Sequence, residues 1–145
     1  MNRVAITLAK HFEGFRSKPY LCSAGVATIG YGTTHYPTGK KVTLKDLPID
    51  KGIAESLLER EMSRCVNAAA RHCPVLLTKD EKLGAIADFC YNLGSGRLKT
   101  STLRRRINQR DWHEVVYELK RWVRGGGRVL PGLVRRRNME AKFFE

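Results

Sequence analysis

The sequence predicts an α+β fold whose strands gather at one end of the chain. Three observations carry this: a helical apolar repeat before residue 14, a glycine-rich and β-branched stretch over residues 20–43, and helical patterning from residue 50 onward. Together they give one domain over residues 1–145. It has a small β lobe over about 14–50 and a helical lobe over about 51–145 that takes in the N-terminal helix. A long helix following the sheet is placed to join the lobes and leave a groove between them, where ligands commonly bind.

Each element has its own local reason. Val4, Leu8, Phe12 and Phe15 recur at helical spacing, so a short amphipathic helix is expected from about Asn2 to Glu13. Pro19 and the glycines at 25, 30, 32 and 39 exclude a long helix beyond it. Between them Val26, Thr28, Ile29, Tyr31 and Thr33 favour short strands. Asp50 is a suitable N-cap, and Ile53, Ala54, Leu57, Leu58, Glu61, Met62, Cys65, Val66 and Ala69 form a stripe for a long helix that Pro74 ends. Thr78 with Glu81 reads as a capping box opening a helix through Leu83, Ile86, Phe89, Cys90 and Leu93, closed by Gly94. A further helix is expected near Ser101 or Thr102. Another runs from Asp111, paired with Glu114, through Val115, Leu119 and Trp122. Gly125, Gly126 and Gly127 then break the chain, and a last helix follows Pro131.

Composition narrows the class. A hydrophobic fraction of 42% over 145 residues is enough for a core, so neither disorder nor a disulfide-stapled mini-protein is needed. Cys22, Cys65, Cys73 and Cys90 form no CxxC, and the even count leaves only a single pairing such as Cys65 with Cys73 open. The four histidines show no paired spacing, so no metal and no cofactor are expected. No segment has the roughly 18–20 apolar residues that span a bilayer. Lys10 and His11 interrupt the first apolar run, which does not read as a signal peptide. The net charge of +13 predicts a polyanionic partner: nucleic acid, an anionic membrane or a bacterial cell wall.

Glu13, Cys22 and Thr28 are the candidate chemical groups. Splitting a glycosidic bond needs a proton donor for the leaving oxygen and a second group that activates water or attacks from the opposite face. Glu13 can donate if burial beside Phe12 or Phe15 keeps its proton on. Taken one at a time, the three residues read equally well as a solvated glutamate, a packed cysteine and a strand threonine. Their joint pattern is more pointed: Glu, eight residues, Cys, five residues, Thr, then Ile29-Gly30-Tyr31-Gly32.

That pattern resembles the catalytic segment of phage-type lysozymes. Those enzymes carry Pro-Tyr-Leu-Asp-Pro-Ala-Gly-Val-Trp-Thr-Ile-Gly-Tyr-Gly, which residues 19–32 match with Cys22 for Asp, Ser23 for Pro and Ala27 for Trp. Phe89 to Gly94, Ser101-Thr102-Leu103 with Ile107-Asn108, Trp122, and Gly132 to Arg137 resemble later family motifs in the same order, so the likeness spans essentially the whole chain. It implies a lysozyme-like fold and an endolysin muramidase cutting the β-1,4 bond between N-acetylmuramic acid and N-acetylglucosamine in peptidoglycan. On this resemblance Glu13 is the general acid, Cys22 takes the aspartate's place as base or nucleophile, and Thr28 positions water. Gly30, Tyr31 and Tyr91 line the sugar groove, and Arg136 holds Glu13. The expected place of action is the host cytoplasm until lysis, then the periplasm and cell wall.

From Arg97 to Lys142, fourteen Lys or Arg face four acids, so most of the net charge falls there. This predicts a basic C-terminal region meeting an anionic cell-wall or membrane surface, on a monomer whose main partner is the glycan strand. Arg104-Arg105-Arg106 comes with no recognised nucleic-acid motif, so no specific nucleic acid is expected. The opposing reading is a non-enzymatic basic protein that binds cell wall or nucleic acid on a lysozyme scaffold.

Overall fold

The structure, a computed structural model, describes all of residues 1–145. Helix α1 (Arg3–Glu13) leads into strands β1 (Arg16–Leu21) and β2 (Ala27–Gly30). The long helix α2 (Lys51–His72) follows, then a 3₁₀ turn (Pro74–Thr78) and α3 (Asp80–Leu93). Short helices α4 (Ser95–Lys99), α5 (Thr102–Asn108) and α6 (Trp112–Leu119) lead to a two-residue hairpin of β3 (Arg124–Gly125) and β4 (Arg128–Val129). Helix α7 (Pro131–Ala141) and a 3₁₀ turn (Lys142–Phe144) close the chain. The lysozyme-like α+β reading matches this arrangement.

The caps explain most of the boundaries. Asn2 accepts from the Ala5 amide at 3.0 Å, Asp50 from Ile53 at 2.8 Å and Ser101 from Arg104 at 3.0 Å, each satisfying an orphan donor of a helix start. Asn2 also donates to the Asp80 carbonyl at 3.0 Å, tying the start of α1 to the start of α3. The proposed Thr78 cap does not form. Thr78 ends the 3₁₀ turn instead, and α3 begins after Lys79 with no side-chain cap. Helix α6 ends at Leu119, so Trp122 lies in the turn beyond it, edge-on to Phe89 with ring centres 5.5 Å apart. Sequence reading missed α4, which is barely more than one turn long.

One core joins α2, α3, α5 and α6, with Leu58, Met62, Ile86, Phe89, Leu103, Ile107 and Leu119 fully buried. Ile53, expected in the α2 stripe, is half exposed, whereas its neighbour Ala54 is fully buried in the core. All four cysteines are free, so Cys65 and Cys73 do not pair; burial above all pushes both thiols up to about 12.

Helices α1 and α3 approach closely only because residue 84 has no side chain: a Cβ there would come within 2.8 Å of the Val4 Cβ and collide with the Asn2 amide oxygen. Gly84→Ala should therefore destabilise the fold by about 1–3 kcal/mol. Gly96→Ala, in open space on α4, should be neutral or stabilise by about 0.4–1 kcal/mol. Urea midpoints of the two variants measure the contrast; equal midpoints would refute the packing account.

Candidate active site

A cleft of about 900 Å³ separates the hairpin lobe from the helices, and Glu13, Cys22, Thr28 and Tyr91 all line it. Hairpin register explains how Cys22 and Thr28 come together. Leu21 pairs with Ala27 and Tyr20 with Thr28, and the Cys22 amide continues the ladder by donating to the Val26 carbonyl at 3.0 Å. Alternation along a strand puts Tyr20 and Cys22 on one face, and cross-strand pairing puts Thr28 on that face too. The five-residue spacing is thus the length of a tight turn, closed by the Gly25 amide donating to the Cys22 carbonyl at 2.8 Å.

The Cys22 thiol is partly exposed and is held below the ordinary thiol value. Burial works against ionisation, but hydrogen bonds from the backbone at Val26 and Ala24 and from the Thr28 hydroxyl outweigh it. Thr28 has one hydroxyl proton and two acceptors. It donates to the Val26 carbonyl at 2.9 Å, which leaves its oxygen lone pairs free to accept.

Glu13 ends α1 at the edge of the cleft. Its Oε2 accepts from Arg136 Nη1 at 2.7 Å. Arg136 also forks onto Asp88, with Nε to Oδ2 at 2.9 Å and Nη2 to Oδ1 at 2.8 Å. Burial alone would lower the affinity of Arg136 for its proton; hydrogen bonds and charge from Asp88, then Glu13, raise it overall. Glu13 has a second constraint in Gly32, whose backbone has φ +86° and whose missing Cβ would lie 2.8 Å from the Glu13 carboxyl carbon.

Two of the three residues expected to line the groove lie elsewhere. Tyr31 is 6% exposed and packs on Phe15 in the core, and its carbonyl accepts from the Tyr91 hydroxyl at 2.6 Å. Gly30 is pressed against Ala54 and Ile49. Gly30 ends β2 in a left-handed conformation, φ +66°, and the chain beyond it carries Tyr31 into the core. Tyr91 does border the cleft, and burial first, then the Glu13 charge, raises its phenol above the usual range.

Sequence reasoning missed Asp88, Arg137 and Glu140, all fully buried. Arg137 Nη2 donates to Glu140 at 3.0 Å and to Asn92 at 2.7 Å. The buried set therefore holds two guanidiniums, Arg136 and Arg137, against three carboxyls, Glu13, Asp88 and Glu140. Glu140 keeps its proton and donates it to Asp88, so this fully buried carboxyl pair carries one negative charge and not two. Burial, then this hydrogen bond, raises Glu140 well above the ordinary carboxyl value; the bonds from Glu140 and Arg136 overcome burial to lower Asp88. An acidic residue inside the apolar stripe of α3 was the available signal.

The hairpin lobe, helical lobe and intervening cleft, with a carboxyl and a thiol facing into it, define a lysozyme-like glycoside hydrolase. The chain belongs to the phage lysozyme family, whose family model matches residues 10–140. It is 33% identical to the endolysin of Acyrthosiphon pisum secondary endosymbiont phage 1 over 97% of this chain and 94% of that one. It is 34% identical to the endolysin of Bacillus phage B103 over 99% of this chain, but spans only 53% of that longer relative. The solved endolysin from Escherichia coli O157:H7 phage FAHEc1 superimposes with a TM-score of 0.87 at 29% identity, covering 98% of this chain and 90% of that one.

Two outcomes follow from this geometry. Because the folded state holds the Glu140 proton above the pH at which an unfolded glutamate releases it, wild-type stability falls as pH rises from the ordinary carboxyl range towards the raised folded value. Glu140→Gln keeps a neutral donor and lacks this loss, so its stability relative to wild type should improve steadily from pH 5 to 8. Thermal melts across that range check it, and a pH-independent difference would refute a protonated Glu140. Gly32→Ala should displace the Glu13 carboxyl and lower kcat about 10²-fold while the protein stays folded. Cell-clearing rates alongside circular dichroism measure that effect.

Proposed function

We propose that this protein is an endolysin muramidase that hydrolyses the β-1,4 bond between N-acetylmuramic acid and N-acetylglucosamine in peptidoglycan. The supporting observation is the placement of Glu13 across one cleft from the Cys22–Thr28 face, with Arg136 gripping the Glu13 carboxyl. Glu13 is the general acid for the leaving oxygen, and Arg136 stabilises the carboxylate left by proton transfer. Cys22, eased towards its thiolate, serves as base or nucleophile, and Thr28 positions the incoming water. A thiolate base gives inversion at the anomeric carbon, whereas a thiolate nucleophile gives retention through a thioglycosyl intermediate.

The biological reading follows the endolysin names of the relatives. The protein acts on the host wall at lysis, reaching the periplasm from the host cytoplasm, and works as a monomer on glycan strands. No helix is long and apolar enough to cross a membrane. The basic surface concentrates it on an anionic wall.

Clearing of outer-membrane-permeabilised Gram-negative cells tests the assignment. Glu13→Gln should slow clearing by about 10²–10⁴-fold; clearing at the parent rate would end the muramidase reading. Cys22→Ser should lose most activity and Cys22→Asp should keep it, because serine supplies no anion near neutral pH. Mass spectrometry of released fragments should show hydrated reducing ends, and 1,6-anhydro ends would reassign the reaction to a lytic transglycosylase.

A further inference from the structure

Two of the three arginines of α7 are not free positive charge. Arg136 and Arg137 are 4% and 0% exposed and already matched by Glu13, Asp88 and Glu140. Unpaired cations collect instead along α2 and at its far end. Arg60, Arg64 and Arg71 sit four and seven residues apart, on one exposed face of α2 that spans about 16 Å at 1.5 Å per residue. Arg60, Arg64 and Arg97 border the catalytic cleft.

Past the end of α2 lies a second recess of about 470 Å³, lined by Lys99, Ser101, Arg104, Arg105, Asn108 and neighbouring polar residues, with no apolar, aromatic or acidic side chain. None of these lysines and arginines makes a salt bridge. Arg104 is fixed in place: its Nε donates to the His72 carbonyl at 2.9 Å and its Nη1 to the Lys99 carbonyl at 3.0 Å, leaving Nη2 for a ligand. Asn108 shares the His72 carbonyl at 3.0 Å. A guanidinium held this way loses little freedom on meeting an anion. His72 reports the local field, being held below the ordinary imidazole value by burial and then by Arg104, Arg71 and Lys99.

We propose that this recess and the arginine face of α2 form a binding site for the phosphodiester groups of a phosphate-bearing wall polymer, held beside the glycan strand in the cleft. The site's composition selects that ligand. Single-stranded nucleic acid is gripped by aromatic stacking as well as charge, and the recess offers no ring. An anionic membrane is met by a helix with apolar residues to insert, and the recess lining has none. Arg60 and Arg64, on the same face of α2 as Arg71, border the cleft, which favours a polymer that travels with peptidoglycan. The inference rests on the anionic-wall partner reading above and not on the chemistry of Glu13.

The test is titration of the full chain with a synthetic glycerol phosphate oligomer, following the histidine resonances by NMR and the affinity by calorimetry at several salt concentrations. Binding should raise the pH at which His72 titrates. The double variant Lys99→Ala, Arg105→Ala should weaken affinity about tenfold or more and reduce the salt slope by about two, with an unchanged melting temperature. Wild-type affinity in that variant overturns the site. Tighter binding of single-stranded DNA of equal charge, or of anionic lipid vesicles, overturns the choice of ligand. If the oligomer fails to bind while cells still clear, this inference falls and the muramidase reading stands; if Glu13→Gln clears cells at the parent rate, the reverse holds.

Discussion

Arg136 is a charge removed from water, and the active side of the molecule is arranged around keeping it satisfied. An unpaired guanidinium in a dry interior costs several kcal/mol, and removing one partner of a buried pair typically costs about 3–5 kcal/mol. Asp88 on α3 takes two of its N–H groups and Glu13 at the end of α1 takes a third. Three helices from distant parts of the chain must therefore meet at fixed distances before the cluster closes. Its geometry then fixes the Glu13 carboxyl, so the energetic requirement of the fold and the positional requirement of the site are met by the same bonds.

The two sides of the cleft are built by different physics. On the helical side, position comes from buried charge, and a lost partner is expensive. On the hairpin side it comes from strand period and register: Cys22 and Thr28 share a face because pairing between β1 and β2 leaves no other arrangement. Gly32 links the two. It follows β2 in the chain, yet its bare Cα makes room for the carboxylate that α1 supplies. A side chain there would push the two halves of the site apart without touching either lobe's own core.

The outline of the fold was legible because its signals are local. Asp50 and Ser101 cap the helices that follow them, Gly94 ends α3 with a positive φ, and the β-branched run after Gly25 makes a hairpin. Thr78 misled because Pro74 starts a 3₁₀ turn that absorbs the threonine before α3 begins. At the site, the Glu13, Cys22 and Thr28 spacing was readable as one face of a turn. Tyr31 was misplaced because motif proximity says nothing of which strand face a residue takes. Asp88 breaks the apolar stripe of α3, but its role and that of Glu140 depend on partners 48 and three residues away in a buried network, which one-dimensional periodicity does not encode.

The overall basicity also divides into two unlike parts. Within the core the arginines of α7 meet matching carboxyls and one retained proton, so that set is close to neutral and contributes little to the field outside. Part of the excess that reaches solvent is carried by residues that make no salt bridge, on α2 and gathered at its C-terminal end. A helix C-terminus attracts cations, and Arg104 and Asn108 both donate to the last α2 carbonyl, that of His72. That capping need accounts for one guanidinium. Lys99, Arg71 and Arg105 exceed it, and because charge held without a partner costs self-repulsion, their gathering at the end of α2 is best explained by a polyanion that binds there.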